Sequence, residues 1–259
     1  MSVAHALPAD QVSPDTDNPG TAPSPASTDV ARTVLASTAA AVALGLVGSI
    51  GLAVSFGWPA VLDAPAAEAL PAFAEQRGAV AAFFLVQLAG SLALSPAVLG
   101  LHRLAAARRP AGPGLQALTA LGVAALVVQC LGWVRWPIAV PHLADAYLDP
   151  AASPAAREAT AASYEVLNAY AGGALGEHLG WLLQAVWAVG IAAVLVRRRV
   201  LPRAVAVALL GLAVAWAATL VPAGWFAADE LETVGVNVYS VWLLGLLAAA
   251  GVLVRRRNA

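Results

Sequence analysis

Six apolar runs, each long enough to cross a bilayer, dominate this chain, and arginine clusters mark where they begin and end. The runs lie at about 33–57, 79–101, 114–136, 174–196, 201–221 and 235–254. At 1.5 Å per residue, about 20 residues cross roughly 30 Å of hydrocarbon. Backbone groups in lipid must be satisfied within the segment, and the runs lack the alternation of barrel strands. The sequence therefore predicts an all-α, polytopic membrane protein with six transmembrane helices. Composition agrees: 60% of residues are hydrophobic and 11% charged, against about 25% charged in a soluble domain.

The positive charge is carried by arginine alone, since lysine is absent. Arg103/Arg108/Arg109 follow the second run, Arg197/Arg198/Arg199/Arg203 separate the fourth from the fifth, and Arg255/Arg256/Arg257 follow the sixth. Positive residues flanking apolar spans stay on the cytoplasmic side during insertion. With Arg32 they place both termini, the 2–3 loop and the 4–5 loop inside, as an even span count requires. Acids gather in the other loops: Asp63, Glu68 and Glu75 after the first run, and Asp229, Glu230 and Glu232 after the fifth. The net charge of −1 hides this segregation and points to no nucleic-acid partner.

Residues 1–31 are rich in Pro, Ser, Thr and Asp. They read as a disordered cytoplasmic tail, distinct from the transmembrane domain at 32–259. No basic stretch leads into the first apolar run, so the tail is not a signal peptide. Small residues recur every fourth position in the first run, at Ala41, Gly45, Ser49, Ala53 and Gly57. Such a ridge lets helices approach closely in lipid, within the chain or against a membrane partner or second copy through Ala41, Gly45 and Ser49. The longest connection, about 137–173, falls outside. Ser153–Pro154 is a helix start and Gly172–Gly173 a helix stop, which predicts a short surface helix with Tyr164, Leu167 and Ala171 on one face. A shorter turn is expected from Pro141 to just before Asp149–Pro150.

Orientation assigns depth to the polar residues. Arg135, His142, Glu177, His178 and Asn237 come to the outer boundary. Gln87, Gln129 and Gln184 lie below, 6–8 residues or roughly 9–12 Å into spans two, three and four. One reading makes these groups a small-molecule site: a polar pocket open to the outside, with Arg135 holding an anionic group, Glu177 orienting Arg135, and the amides binding the ligand. The bland reading is a helix clasp, with the glutamines bonding one another and Arg135 paired to Glu177. Most tryptophans map to the outer half, where they act as interfacial anchors or line a cavity. Proton transfer by Glu177 or His178 would make the chain an enzyme, yet no nucleophile with a neighbouring base, phosphate loop or dinucleotide motif accompanies them. No metal-ligand spacing links His142, His178 and Glu177, and the lone Cys130 excludes an internal disulfide. No cofactor is expected.

Two stretches carry a family likeness. GWVRWPIAVPHLADAYLDP (132–150) and GEHLGWLLQAVW (176–187) resemble a signature of bacterial multi-span proteins, the domain-of-unknown-function 4386 family. The likeness covers roughly residues 115–240 and implies a six-span fold with no assigned chemistry. The first two spans and the tail carry nothing that can be placed. The sequence reading is thus a plasma (inner) membrane protein, with ligand binding or transport favoured over a membrane-embedded enzyme or an accessory subunit.

Overall fold

A computed structural model describes residues 25–226 and 229–258. Among them no strand occurs. The helices are α1 (Pro25–Phe56), α2 (Ala66–Glu75), α3 (Arg77–Ala93), α4 (Ser95–Ala106), α5 (Pro113–Ile138), α6 (Val140–Leu148), α7 (Pro154–Leu167), α8 (Gly180–Arg197), α9 (Arg203–Phe226) and α10 (Asp229–Asn258). A one-turn 3₁₀ helix covers Ala60–Asp63, and a π-helical stretch, Asn168–Leu179, joins α7 to α8. Among the described residues six helical units are long and apolar enough to cross a membrane, so the chain is a multi-pass membrane protein.

The six spans form a closed ring in chain order. α1 packs on α3, α3 on α5, α5 on α8, α8 on α9, α9 on α10, and α10 returns to α1. The outer surface of the ring is apolar: Leu46 is 56%, Ile50 60% and Val54 85% exposed on α1 alone, the face expected to meet lipid. The arginine clusters lie together at one end. At the other, α2, α6 and α7 pack on one another as a cap. A core of Leu52, Phe56, Phe73, Phe84, Trp136 and Tyr164 joins the cap to the ends of α1, α3 and α5.

Several boundaries differ from the sequence reading. Residues 25–31, assigned there to the tail, form the first two turns of α1, because Ala31 and Val34 are buried against the arginine end of the ring. The rest of the tail, with His5, lies outside the described residues, as do the side chains of Trp225, Asp229, Glu230 and Glu232. The second span breaks at Leu94, just before Pro96, into α3 and α4. α2 was not anticipated, although its buried Ala66, Ala69, Leu70 and Phe73 have the i, i+3, i+4, i+7 spacing of one helical face. Gly57 does end α1: its φ of 69° is the left-handed turn glycine adopts without a Cβ penalty.

The long connection holds the largest correction. Ser153 caps α7, accepting from the Ala156 N–H at 3.2 Å, and Pro154 begins it. Yet Gly172–Gly173 does not stop the helix. Helical backbone runs unbroken from Pro154 to Arg197, 44 residues or roughly 60 Å, about twice the hydrocarbon thickness. Gly172 is packed against the Arg135 guanidinium rather than released to a loop, and the chain stays helical and changes pitch instead. Tyr164, expected on a surface helix, is 1% exposed under the cap. The expected short turn after Pro141 is present as α6.

Candidate functional site

Arg135 stands three residues before the end of α5 and is 5% exposed. A buried guanidinium is costly unless its five N–H groups find acceptors. One terminal nitrogen donates to the Gly132 carbonyl at 2.7 Å, and the other to the Asn168 Oδ1 at 3.0 Å. Asn168 in turn donates through its amide to the Leu62 carbonyl at 2.7 Å, tying the first residue of the π-helical stretch to the 3₁₀ turn of the first connection. The Arg135 guanidinium carbon lies 5.3 Å from the centre of the Trp136 ring, close enough for a cation–π contact. Glu177 is the acid whose charge reaches it, and Tyr164 lies in the same field.

Glycines make room for this arrangement. A Cβ on Gly172 would sit 2.4 Å from an Arg135 terminal nitrogen. One on Gly176 would sit 2.9 Å from the Gly132 Cα, and one on Gly180 2.8 Å from the Gln129 Cγ. Gly172, Gly176 and Gly180 therefore form one strip against Arg135, Gly132 and Gln129 of α5. The π-helical pitch places that strip, and π-helical segments recur at functional sites.

Several buried side-chain donors here have no protein partner. The Arg135 Nε, the Tyr164 hydroxyl and the indole nitrogens of Trp58, Trp133 and Trp136 are buried with no protein partner. All belong to or pack on the cap core: Trp136 is stacked on Phe84 at 5.0 Å and meets Tyr164 at 6.3 Å, while Trp133 lies 6.0 Å from Phe84. A buried donor without an acceptor costs about 1–3 kcal/mol. The arrangement suits a group rich in acceptor oxygens, such as a carboxylate or phosphate, beside an aromatic wall.

The sequence-predicted residues divide into separate groups. The charge of Glu177 reaches Arg135, beside Asn168 and Tyr164, which the sequence did not single out as site residues. Gln129 donates to Gln184, and Gln184 donates to the Tyr239 hydroxyl at 3.3 Å, linking spans three, four and six. Gln87 stands apart, donating to the Ser49 hydroxyl at 2.8 Å across the α1–α3 seam. His142, His178 and Asn237 are exposed side chains. Ala41, Gly45 and Ser49 face α3: Gly90 meets the Gly45 backbone, with 3.2 Å between its would-be Cβ and the Gly45 nitrogen. Asn168 carried one visible signal, an amide four residues after Tyr164 and hence on the same helix face. Among the described residues no three His, Cys, Asp or Glu side chains are grouped closely enough to hold a metal ion.

One family model, Domain of unknown function (DUF4386), matches residues 34–255. The match reaches well beyond the two signature stretches and takes in the first two spans. No curated protein and no solved structure matches the chain.

Proposed function

The chain belongs to the DUF4386 family, and on that premise we propose that its capped end faces the cell exterior and binds a small amphipathic anion at Arg135. The arginine clusters support the sidedness, since they would stay cytoplasmic. The observation that carries the ligand reading is the nearly buried Arg135, with an unpartnered Nε beside the unpartnered Tyr164 hydroxyl. Arg135 supplies charge and a donor to the anionic head. Gly132 and Asn168 hold its other nitrogens, and Glu177 balances its charge when no ligand is present. The rings of Phe84, Trp133 and Trp136 take the apolar part. Gln129, Gln184 and Gln87 support the helices rather than the ligand, because each already has a side-chain partner. Proton transfer by a Glu177/His178 pair is the weaker reading, because His178 is exposed and adjacent helical residues point in different directions.

The test is thermal unfolding of the purified protein with decanoate, decyl phosphate or decyltrimethylammonium. Ligand at about 100 times its Kd stabilises by about 2.7 kcal/mol, which raises Tm by about 5 °C or more. One or both anions should do this for the wild type, the cation should not, and Arg135→Gln should abolish the shift. If neither anion shifts Tm and Arg135→Gln merely lowers it, Arg135 is a clasp and the ligand reading fails.

A further inference from the structure

At the opposite end of the ring lies a cavity of ≈ 790 Å³. Five arginines line it: Arg108 from the α4–α5 turn, Arg197 from the end of α8, Arg199 from the turn that follows, Arg203 from the start of α9, and Arg256 from the end of α10. All five are exposed. Val196 and Leu201 supply an apolar wall. Retention of charge on one side of a membrane requires only that arginines lie in the flanking loops. It does not require separate helix ends and turns to bring them to one concavity, where they repel; Arg108 also lies close enough to Arg257 for the two charges to oppose each other. Asp29 is the described acid placed at this end, and it pairs with Arg32 at 3.7 Å.

Two local features hold the cluster against that repulsion. The Arg198 guanidinium does not line the cavity. It donates to the Ala105 carbonyl at 3.0 Å and to the Arg109 carbonyl, clamping the α4–α5 turn beside the end of α8 and bringing Arg108 to the others. The second feature is Arg199, whose φ is 52°. The Val200 N–H bonds the Leu195 carbonyl at 3.1 Å and the Arg199 N–H bonds the Val196 carbonyl at 3.2 Å. This is a common way to end a helix, and the residue in Arg199's place is usually glycine, because a Cβ there is unfavourable. The chain uses glycine at the left-handed turn after α1. Here it keeps a guanidinium on the lining of the cavity, and unfavourable backbone retained at a particular place points to a role.

We infer that this cavity binds the phosphate of an anionic phospholipid. Guanidinium groups form charge-assisted, paired hydrogen bonds with phosphate oxygens. Basic pockets between the cytoplasmic ends of spans suit lipid head groups. The chain spans a bilayer, so the ends of its helices meet head groups directly, and the wall of Val196 and Leu201 can lie along the upper part of an acyl chain.

The test is native mass spectrometry of the full-length protein released from detergent, after addition of dioleoyl phosphatidylglycerol, dioleoyl phosphatidylcholine or inorganic phosphate. The wild type should retain phosphatidylglycerol over phosphatidylcholine. Each guanidinium removed should weaken retention about fivefold. Arg199→Gly is the most telling variant, because it deletes the side chain while giving the backbone the residue it prefers. It should retain phosphatidylglycerol about fivefold less well with no loss of Tm in lipid-free detergent, and Arg256→Gln should act alike. Arg157→Gln, at the capped end, should change nothing. The inference is overturned if Arg199→Gly and Arg256→Gln retain the lipid as well as the wild type, or if Arg157→Gln loses as much. Retention of inorganic phosphate that phosphatidylglycerol cannot displace would also overturn it, by making the site one for free anions.

Discussion

Replacing Gly132 with leucine should abolish the folded protein, and Gly176→Leu should do the same. The two glycines meet backbone to backbone: a Cβ on Gly132 would lie 2.8 Å from the Gly176 Cα. Nothing there can swing away, because the obstructing atom belongs to the neighbouring main chain. Enlarging a residue inside a well-packed core costs about 1–3 kcal/mol when side chains can adjust. A backbone collision lies at or beyond the upper end, about 3 kcal/mol or more, a large part of the whole stability of a typical domain. The damage would also spread. The contact fixes the distance between α5 and the π-helical stretch, and with it the seats of Arg135 and Gln129. Gly112→Ala and Gly211→Ala are the controls, since a Cβ at either meets nothing within 4 Å. Size-exclusion chromatography of detergent extracts should show a single symmetric peak for the controls and aggregate or no protein for the leucine variants. A normal peak for Gly132→Leu would mean that the helices are further apart than described.

Arg135→Ala should have the second largest effect, and its cause can be separated from simple loss of bulk. Removing the guanidinium leaves the Asn168 Oδ1 without its donor. Hydrogen bonds to a charged group contribute about 1.5–3 kcal/mol each. Gly172→Ala should reach a similar result from the other side of the contact, because its methyl would displace the guanidinium from both acceptors. The two changes remove the same interaction, so their effects should not add. With Arg135→Ala already present, Gly172→Ala should cost little, so the coupling should be nearly as large as the cost of Gly172→Ala alone, toward the top of the roughly 0.5–3 kcal/mol seen for residues in contact. Unfolding midpoints of the four proteins measure it. Additive losses would place Gly172 and Arg135 in separate environments.

The fold was legible in the sequence wherever composition changes along the chain, and illegible wherever neighbours had to be chosen. Six runs of the right length stand out because lipid admits few polar residues. Their order around the ring does not, since a helix apolar toward lipid is also apolar toward its neighbour and shows no contrasting face. The cap helix α2 did have contrast, in the spacing of Ala66, Ala69, Leu70 and Phe73, and could have been read from it. Gly172–Gly173 misled because glycine ends helices in water, where exposed backbone finds partners. In this setting glycine marks a helix brought against another. Arg135 and Glu177 share a depth at the ends of adjoining spans, and the charge of Glu177 reaches Arg135. Asn168 was not foreseen, since the expected stop at Gly172 detached it from span four. Gln87 shares the depth of Gln129 and Gln184, yet it bonds Ser49 on the far side of α3; depth along a helix says nothing about direction around it. The left-handed backbone of Arg199 leaves no trace in a run of three arginines.

The account turns on which side of the membrane carries the cap. Cys130 is the single cysteine, so a Cys130→Ser background permits clean labelling. Ala155→Cys on α7 and Ala107→Cys in the α4–α5 turn both place the thiol at an exposed position, one at each end of the ring. With a membrane-impermeant maleimide on intact cells, Ala155→Cys should label fully, and Ala107→Cys only after the membrane is opened. Labelling of Ala107→Cys in intact cells, with Ala155→Cys protected, would turn the Arg135 site toward the cytosol and contradict the proposal.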